Sequence, residues 1–372
     1  AGLVWSGRAL PHAGQAAACA ALGALAEAEV GPEGEIAGRS PEALAETLAL
    51  LVWTARALEG GPVAADPRHL AAIVRIVPTL RALRLGDGSL GRFHGGSGGD
   101  PIAIDKALAE LRLETRPRPR LPMGYARLAG GRAALLLDGA APPPGGHAGT
   151  LAFELAVGRQ PLVVNAGPGA GFGPEAAAFA RTTAAHSTVE VAGASSAAVA
   201  AGGALGDGPT LVTVRQAQDA TGQWLLATHD GYAARLGVLH ERRVFVDARG
   251  LEARGEEILS VTDARALAAY ERAAGPGGAL GFAARFHIHP DVEVGFEPGP
   301  QAAILTLPGG EIWAFRASGG AVSVEETVHF DPGRAAPRPA RQVVVRAEVV
   351  EYLGQITWSF GRIREAPEPG AR

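Results

Sequence analysis

Two histidines open strand-like runs on either side of an asparagine. His147 precedes the alternating stretch Leu151-Ala-Phe-Glu-Leu155, Asn165 ends the run Leu162–Val164, and His186 leads Ser187-Thr-Val-Glu-Val191. Imidazoles that meet across neighbouring strands are transition-metal ligands, and an oxygen donor such as Asn165 would join them in a zinc site. The same pattern also describes ordinary hydrogen-bonded histidines, and composition alone does not separate the two. A second cluster lies upstream, in the glycine-rich run Gly86–Gly99, which carries Arg92 and His94. A neutral imidazole is a general base, a guanidinium grips a carboxylate through paired hydrogen bonds, and Gly95-Gly96 lets a polymer approach the backbone. Glu35 and Arg39 sit in the loop Gly31–Ser40, where they are either cleft-lining groups or a solvated surface pair.

The elements that must position these residues fall into two regimes. Gln15–Val30 is rich in Ala and Leu and reads as a helix. Ser40-Pro41-Glu42 starts a second, with Ser as N-cap and Pro at the first helical position. Leu44, Leu48, Leu51 and Val52 then lay an apolar stripe along one face. Asp66-Pro67 starts a third helix running towards Leu85, with a kink expected at Pro78. Ile102–Leu113 reads as a last short helix and Thr115–Arg120 as an extended linker. Beyond it the period changes to alternation. Strands are expected from Tyr125–Leu128 to Gln342–Tyr352, punctuated by Gly, Pro, Asn and Asp and with no helices between them. The fold class expected is therefore α+β and multidomain. Helical hairpins, the unit of a partial α/α toroid, occupy residues 1–118, and a large antiparallel β-sandwich occupies residues 119–372.

Other polar clusters read as structural. His287 and His289 alternate in Arg285-Phe-His-Ile-His-Pro290 and share one strand face. His229-Asp-Gly-Tyr232 reads as a turn with a local His–Asp contact, and His240-Glu-Arg-Arg243 as a charged strand face. No phosphate loop, nucleophile elbow or dinucleotide fingerprint is present. The single Cys19 rules out an intrachain disulfide. A net charge of −4 argues against a nucleic-acid binder, and no apolar run reaches transmembrane length. The chain opens at Ala1 in what reads as the middle of a helical domain, so an excerpt of a longer protein is expected.

The segments His147–Gly167 and Arg181–Val191 together resemble the heparinase II/III-like family of polysaccharide lyases. His229–Tyr232, Val238–Arg243, Arg285–Pro290 and the upstream stretch Pro32–Pro41 match in order as well. The resemblance covers most of the chain. It implies an incomplete α/α toroid followed by a β-sandwich, and β-elimination on an acidic, uronate-containing polysaccharide. In that chemistry a base takes the proton beside the uronate carboxylate, an acid protonates the leaving oxygen, and donors neutralise the carboxylate. The family's His-x-His pair falls on Gly145 and His147, so the catalytic member is a glycine here. A structural zinc would be held by His147, Asn165 in place of an aspartate, and His186. The acid tyrosine of the helical part has no counterpart, since the tyrosines are Tyr125, Tyr232, Tyr270 and Tyr352. His94, Arg92, Glu35 and Arg39 remain as catalytic candidates, and Gly95, Gly96 and Arg181 as substrate-binding ones. Two functions follow: a lyase, or a non-catalytic glycan-binding or envelope-associated protein on a lyase scaffold. The expected compartment is the periplasm or cell envelope, with the cytoplasm as alternative, and a homo-oligomer assembled through the β domain is a further expectation.

Overall fold

The structure, a computed structural model, describes residues 1–9, 14–111, 121–200, 203–297 and 302–366. The expected linker Thr115–Arg120 and the boundary at residue 118 lie outside the described residues. Five helices come first: α1 (Gly2–Ala9), α2 (Gln15–Glu29), α3 (Pro41–Leu58), α4 (Pro67–Ala82) and α5 (Pro101–Ala109). Three of them start by one device, a cap residue followed by proline. Ser40 Oγ accepts from Ala43 N–H, Asp66 Oδ1 from Arg68 N–H and Asp100 Oδ1 from Ile102 N–H. Proline at N1 costs nothing there because that N–H has no intrahelical partner. Pro78 sits inside α4 without ending it. α2 packs on α4, and α3 on α4 and α5, through a core that includes Leu44, Leu48, Ile73, Ile76 and Leu80.

Sixteen strands follow. They are β1 (Tyr125–Gly130), β2 (Ala133–Asp138), β3 (Phe153–Val157), β4 (Gln160–Val164), β5 (Val189–Val191), β6 (Val212–Gln218), β7 (Gly222–His229) and β8 (Leu239–Asp247). Then come β9 (Glu252–Ser260), β10 (Ala279–Ile288), β11 (Glu293–Glu297), β12 (Ala302–Thr306), β13 (Ile312–Ser318), β14 (Ala321–His329), β15 (Arg338–Val350) and β16 (Leu353–Arg364). Every pairing among them is antiparallel. They form one sheet of order β1-β2-β3-β4-β10-β15-β16-β9-β8-β7-β6, with β5, β14 and the β11–β13 hairpins branching from it. The sheet curls until its ends meet: Ala129 N–H donates to Gln223 Oε1 at 2.8 Å, and Gln216 Nε2 to Arg127 O at 3.0 Å. The result is nearly barrel-like.

The expectation of no helices between strands is corrected. α6 (Pro174–Ala180), α7 (Ala233–Leu236) and α8 (Ala264–Ala274) interrupt the strand run. α8 is capped by Asp263, whose Oδ1 takes Ala266 N–H, and it buries Ala269 and Tyr270. The expected strand Gln342–Tyr352 falls in β15 and its turn, while β16, which follows it, was not among the expected strands. Glu351 and Tyr352 both have positive φ and form the two-residue turn that joins β15 to β16.

β2 is buried along its whole length because it has two interiors. Leu135 and Leu137 face the main core with Phe153, Leu155 and Phe286, while Leu136, Ala152 and Ala156 face the helical core. Helices and sheet thus share β2 and β3 as a common wall. The polar residues of the candidate site gather along the helix-facing side of that wall.

Candidate functional site

The glycine-rich loop folds onto this wall. His94 (φ 49°) and Gly95 (φ 86°) are consecutive left-handed residues that reverse the chain, and Phe93 packs on Tyr125 with ring centroids 4.9 Å apart. From the first turn of α3, Glu42 fastens the loop by accepting from Ser97 Oγ at 2.7 Å and from Ser97 N–H. The His94 side chain is 2% exposed. Its Nδ1 accepts from His147 N–H at 3.2 Å, which places the ring proton on Nε2, and Nε2 faces Asp138 Oδ2 at 3.1 Å. Arg39, held left-handed at φ 51°, spans the same group. It is ion-paired to Asp138 and donates to Met123 O and Ala141 O at 2.8 Å each. It also lies over the Tyr125 ring, whose hydroxyl donates to Arg39 O at 2.6 Å. Burial would raise the Asp138 carboxyl, but the Arg39 guanidinium, with the His94 contact beside it, outweighs burial and holds it down at about 2.

His147 and His186 meet edge to face, with ring centroids 5.4 Å apart. His186 Nδ1 donates to Thr182 O at 2.7 Å, which leaves its Nε2 lone pair on the other side of the ring. Burial lowers His147 to about 2 and His186 to about 4, so both rings are neutral. Asn165 does not turn to them. Its Oδ1 accepts from Ser187 N–H at 2.9 Å, and its Nδ2 donates to Glu154 Oε1 at 3.4 Å. An aspartate could not make that second bond. The three-residue donor set therefore does not fit a closed zinc site: two imidazoles are present, the amide is committed elsewhere, and among the described residues no third His, Cys, Asp or Glu joins them.

Arg92 points the other way, into a cleft of about 410 Å³ lined also by Glu42, His289, Asp291, His329 and Arg338. Its nearest anion is Glu154, at 3.6 Å, and its Nε and Nη1 make no hydrogen bond among the described residues. The buried His329 Nδ1 is likewise unpartnered. Burial and the Arg92 charge lower His329 to about 2, and the same causes lower His289 to about 4. Burial raises the Glu154 carboxyl against the pull of Arg92.

Of the remaining candidates, Gly95 lies beside His147, where a Cβ would sit 3.8 Å from Nε2. Gly96 is buried against Ser40 and Glu42. Arg181 donates to Gly203 O at 2.7 Å, and its own carbonyl takes Ala148 N–H. Glu35 closes its own loop by accepting from Glu33 N–H and has no contact with the His94 cluster. Gly145 has φ 75° and open space around its absent Cβ. Sequence reasoning missed Asp138, Glu154 and His329. Asp138, which ends the run Ala-Ala-Leu-Leu-Leu-Asp, carried the readable signal: a carboxylate terminating a fully apolar strand needs a partner.

A third cluster lies inside the main core. His229 Nε2 pairs with His240 Nδ1 at 3.0 Å, His240 Nε2 with Glu257 at 2.8 Å, and Arg242 and Trp358 Nε1 donate to Glu257 at 2.8 Å. The expected His229–Asp230 contact is absent, since Asp230 instead takes Thr210 and Leu211 N–H. His240 and Arg242 face inward, so the expected charged strand face holds only for Glu241 and Arg243. Arg242 Nη1 donates to Leu151 O and to Ser187 O, which tethers the segments after His147 and His186 from below.

Asp138→Ala is expected to destabilise the protein by about 3 kcal/mol, because the Arg39 guanidinium is left buried beside no anion. Urea unfolding measures this, and a loss of well under 1 kcal/mol would show the network to be dispensable.

The family model described as "Heparinase II/III-like, C-terminal" matches residues 115–359. The chain belongs to this family. It is 36% identical over 365 residues to FtsZ-localized protein C of Caulobacter vibrioides, covering 92% of this chain and 61% of that protein. Among solved structures, the heparan sulfate lyase of Pedobacter heparinus superposes with a TM-score of 0.69 at 12% identity, over 98% of this chain and 59% of that one. A heparinase III gene product gives 0.71 at 11% identity, over 95% of this chain and 56% of its own. At such low identity the superpositions show a shared fold alone. The chain spans little more than half of the lyases and about three-fifths of the Caulobacter relative. No helix among the described residues is long and apolar enough to cross a membrane.

Proposed function

We infer that this heparinase-like chain serves an envelope-associated protein that binds an acidic polysaccharide on a lyase scaffold without cleaving it through the residues described here. The helical part is read as the end of an α/α toroid and the sheet as its β-sandwich. The observation that carries the reading is the state of His94. Its ring is buried, Nδ1 accepts from His147 N–H, and Nε2 is covered by Asp138 at 3.1 Å and by Arg39 Nη1 at 3.3 Å. A base must present a lone pair to the substrate proton, and this one has none to present. The family's own catalytic histidine position holds Gly145. Arg92, which lines the polar cleft and is held, among the described residues, only by the 3.6 Å ion pair to Glu154, is the group suited to a carboxylate.

Elimination is the second reading, favoured by the unpartnered His329 Nδ1 in the same cleft as Arg92. Incubation of the full-length protein with uronate polymers separates the two readings. No rise in ultraviolet absorbance from unsaturated uronyl ends is expected, while Arg92→Ser weakens polymer binding by about tenfold, or ~1.4 kcal/mol. Accumulation of the unsaturated product would sink the binding-only reading. The Caulobacter relative is named for localisation with FtsZ, and its likeness over most of this chain makes the same localisation part of the proposal.

A further inference from the structure

On the far side of the main core, the outward face of β6, β7, β8, β9, β16 and β13 forms an open groove of about 800 Å³. Residues on this face alternate with core residues such as Leu225, Val244, Trp358 and Phe315, so the whole interior separates it from the Arg92 cleft. The strand register aligns one row across the six strands: Ala217, Trp224, Phe245, Arg254, Ser359 and Arg316 are successive cross-strand partners. A parallel row runs from Arg215 through Arg243 and Glu256 to Thr357. The groove therefore crosses the strands, about 24 Å for five strand spacings. Charged side chains alternate with small ones along it, and the Trp224–Phe245 pair forms an aromatic step on its second and third strands.

Trp224 is 41% exposed and packs on Phe245 at 4.3 Å between centroids. Arg254 lies 4.7 Å from the Phe245 ring and 6.0 Å from that of Trp224. Arg254 is paired with Glu252 and Arg243 with Glu241 and Glu256. Arg215 and Arg316, on the two outermost strands, are exposed and make no hydrogen bond or ion pair among the described residues. An isolated exposed tryptophan is unremarkable. A tryptophan in a trench that runs between two unpaired guanidiniums, one strand from Arg215 and four from Arg316, has the layout of a polymer site: a ring face stacks towards one end and sparse anions are held at both.

We propose that this face binds a single extended strand of acidic polysaccharide, as a second subsite remote from the Arg92 cleft. The choice of a polysaccharide rests on the reading above. The charge pattern supports it, because the interspersed Glu241, Glu252 and Glu256 leave only two spare cations, too few for a phosphodiester strand carrying one charge per nucleotide.

The test is isothermal titration of the full-length protein with oligosaccharides of hyaluronan, alginate and heparan sulfate. Trp224→Ala and the double variant R215S/R316S are each expected to weaken binding about tenfold with melting unchanged. The double variant, confined to exposed side chains, carries the test alone if Trp224→Ala does not fold. Affinity within about twofold of the parent in both variants overturns the proposal. Loss on Arg92→Ser alone overturns the groove and leaves the cleft reading standing, and loss in the groove variants alone does the reverse. Absence of binding to all three polymers overturns both. Tighter binding of a single-stranded oligonucleotide through the groove overturns the polysaccharide.

Discussion

Replacing Arg242 with Met is expected to destabilise the protein by about 3–5 kcal/mol, the range for breaking a buried ion pair by removing one partner. Arg242 is fully buried, and its guanidinium neutralises Glu257, which also receives His240 and Trp358. Burial alone would raise the Glu257 carboxyl; Arg242 and His240 hold it below its usual range. Without Arg242 that carboxylate stays in the core uncompensated, Leu151 O loses its guanidinium donor, and Ser187 O keeps only Phe153 N–H at 3.3 Å. The loss extends past stability, since those two carbonyls anchor the segments that follow His147 and His186. Urea unfolding gives the magnitude. The imidazole resonances of His147 and His186 should broaden in the variant even where it remains folded. A variant as stable as the parent, with those resonances unmoved, would reduce Arg242 to filler.

The second large effect is acid sensitivity. Burial, the largest cause in each case, lowers His147 to about 2, His186 to about 4, His287 to about 3 and His329 to about 2. The unfolded chain titrates near the ordinary histidine value of about 6.5. Below that pH the unfolded state takes up protons that the fold refuses, so stability falls as pH drops. Each such group contributes up to ~1.4 kcal/mol per pH unit until its folded value is reached. Asp138 and Glu257, both depressed in the fold, add losses of the same sign below about pH 4. Glu154, raised in the fold, opposes them, because its protonated form is favoured in the native state. The unfolding midpoint should therefore drop steeply between about pH 6.5 and 5, before carboxylates titrate. A flat midpoint across that interval would mean that the buried rings are hydrated.

The helix starts were legible because they are local: Ser-Pro, Asp-Pro and a second Asp-Pro write cap and first turn into adjacent residues. Most strands were legible through alternation. β9, β11 and β16 were not; in β9, Glu252, Arg254, Glu256 and Glu257 give Glu-Ala-Arg-Gly-Glu-Glu no clear apolar face, and Glu257 is itself buried against Arg242. The pairing of His147 with His186 was anticipated from their places at strand starts, and the geometry brings them together. Arg39 and His94 were singled out as cleft residues, but nothing local shows that Asp138 draws them inward. That fact belongs to contacts 99 residues apart in the chain, with Arg39, and to a loop docking on a strand end. The role of Asn165 was unreadable for the same reason, since its two amide partners, Glu154 and Ser187, lie on neighbouring segments.

The double burial of β2 has a consequence for how this protein is divided. The family match begins at residue 115, after every one of the first five helices. A fragment cut there would bare Leu136, Ala152 and Ala156 to water and strand Glu154 on an open surface without Arg92. The sheet is thus not a detachable module that happens to carry a helical neighbour. Its first three strands are finished only when the helices close over them, so the two halves must be inherited, and must mutate, as partners.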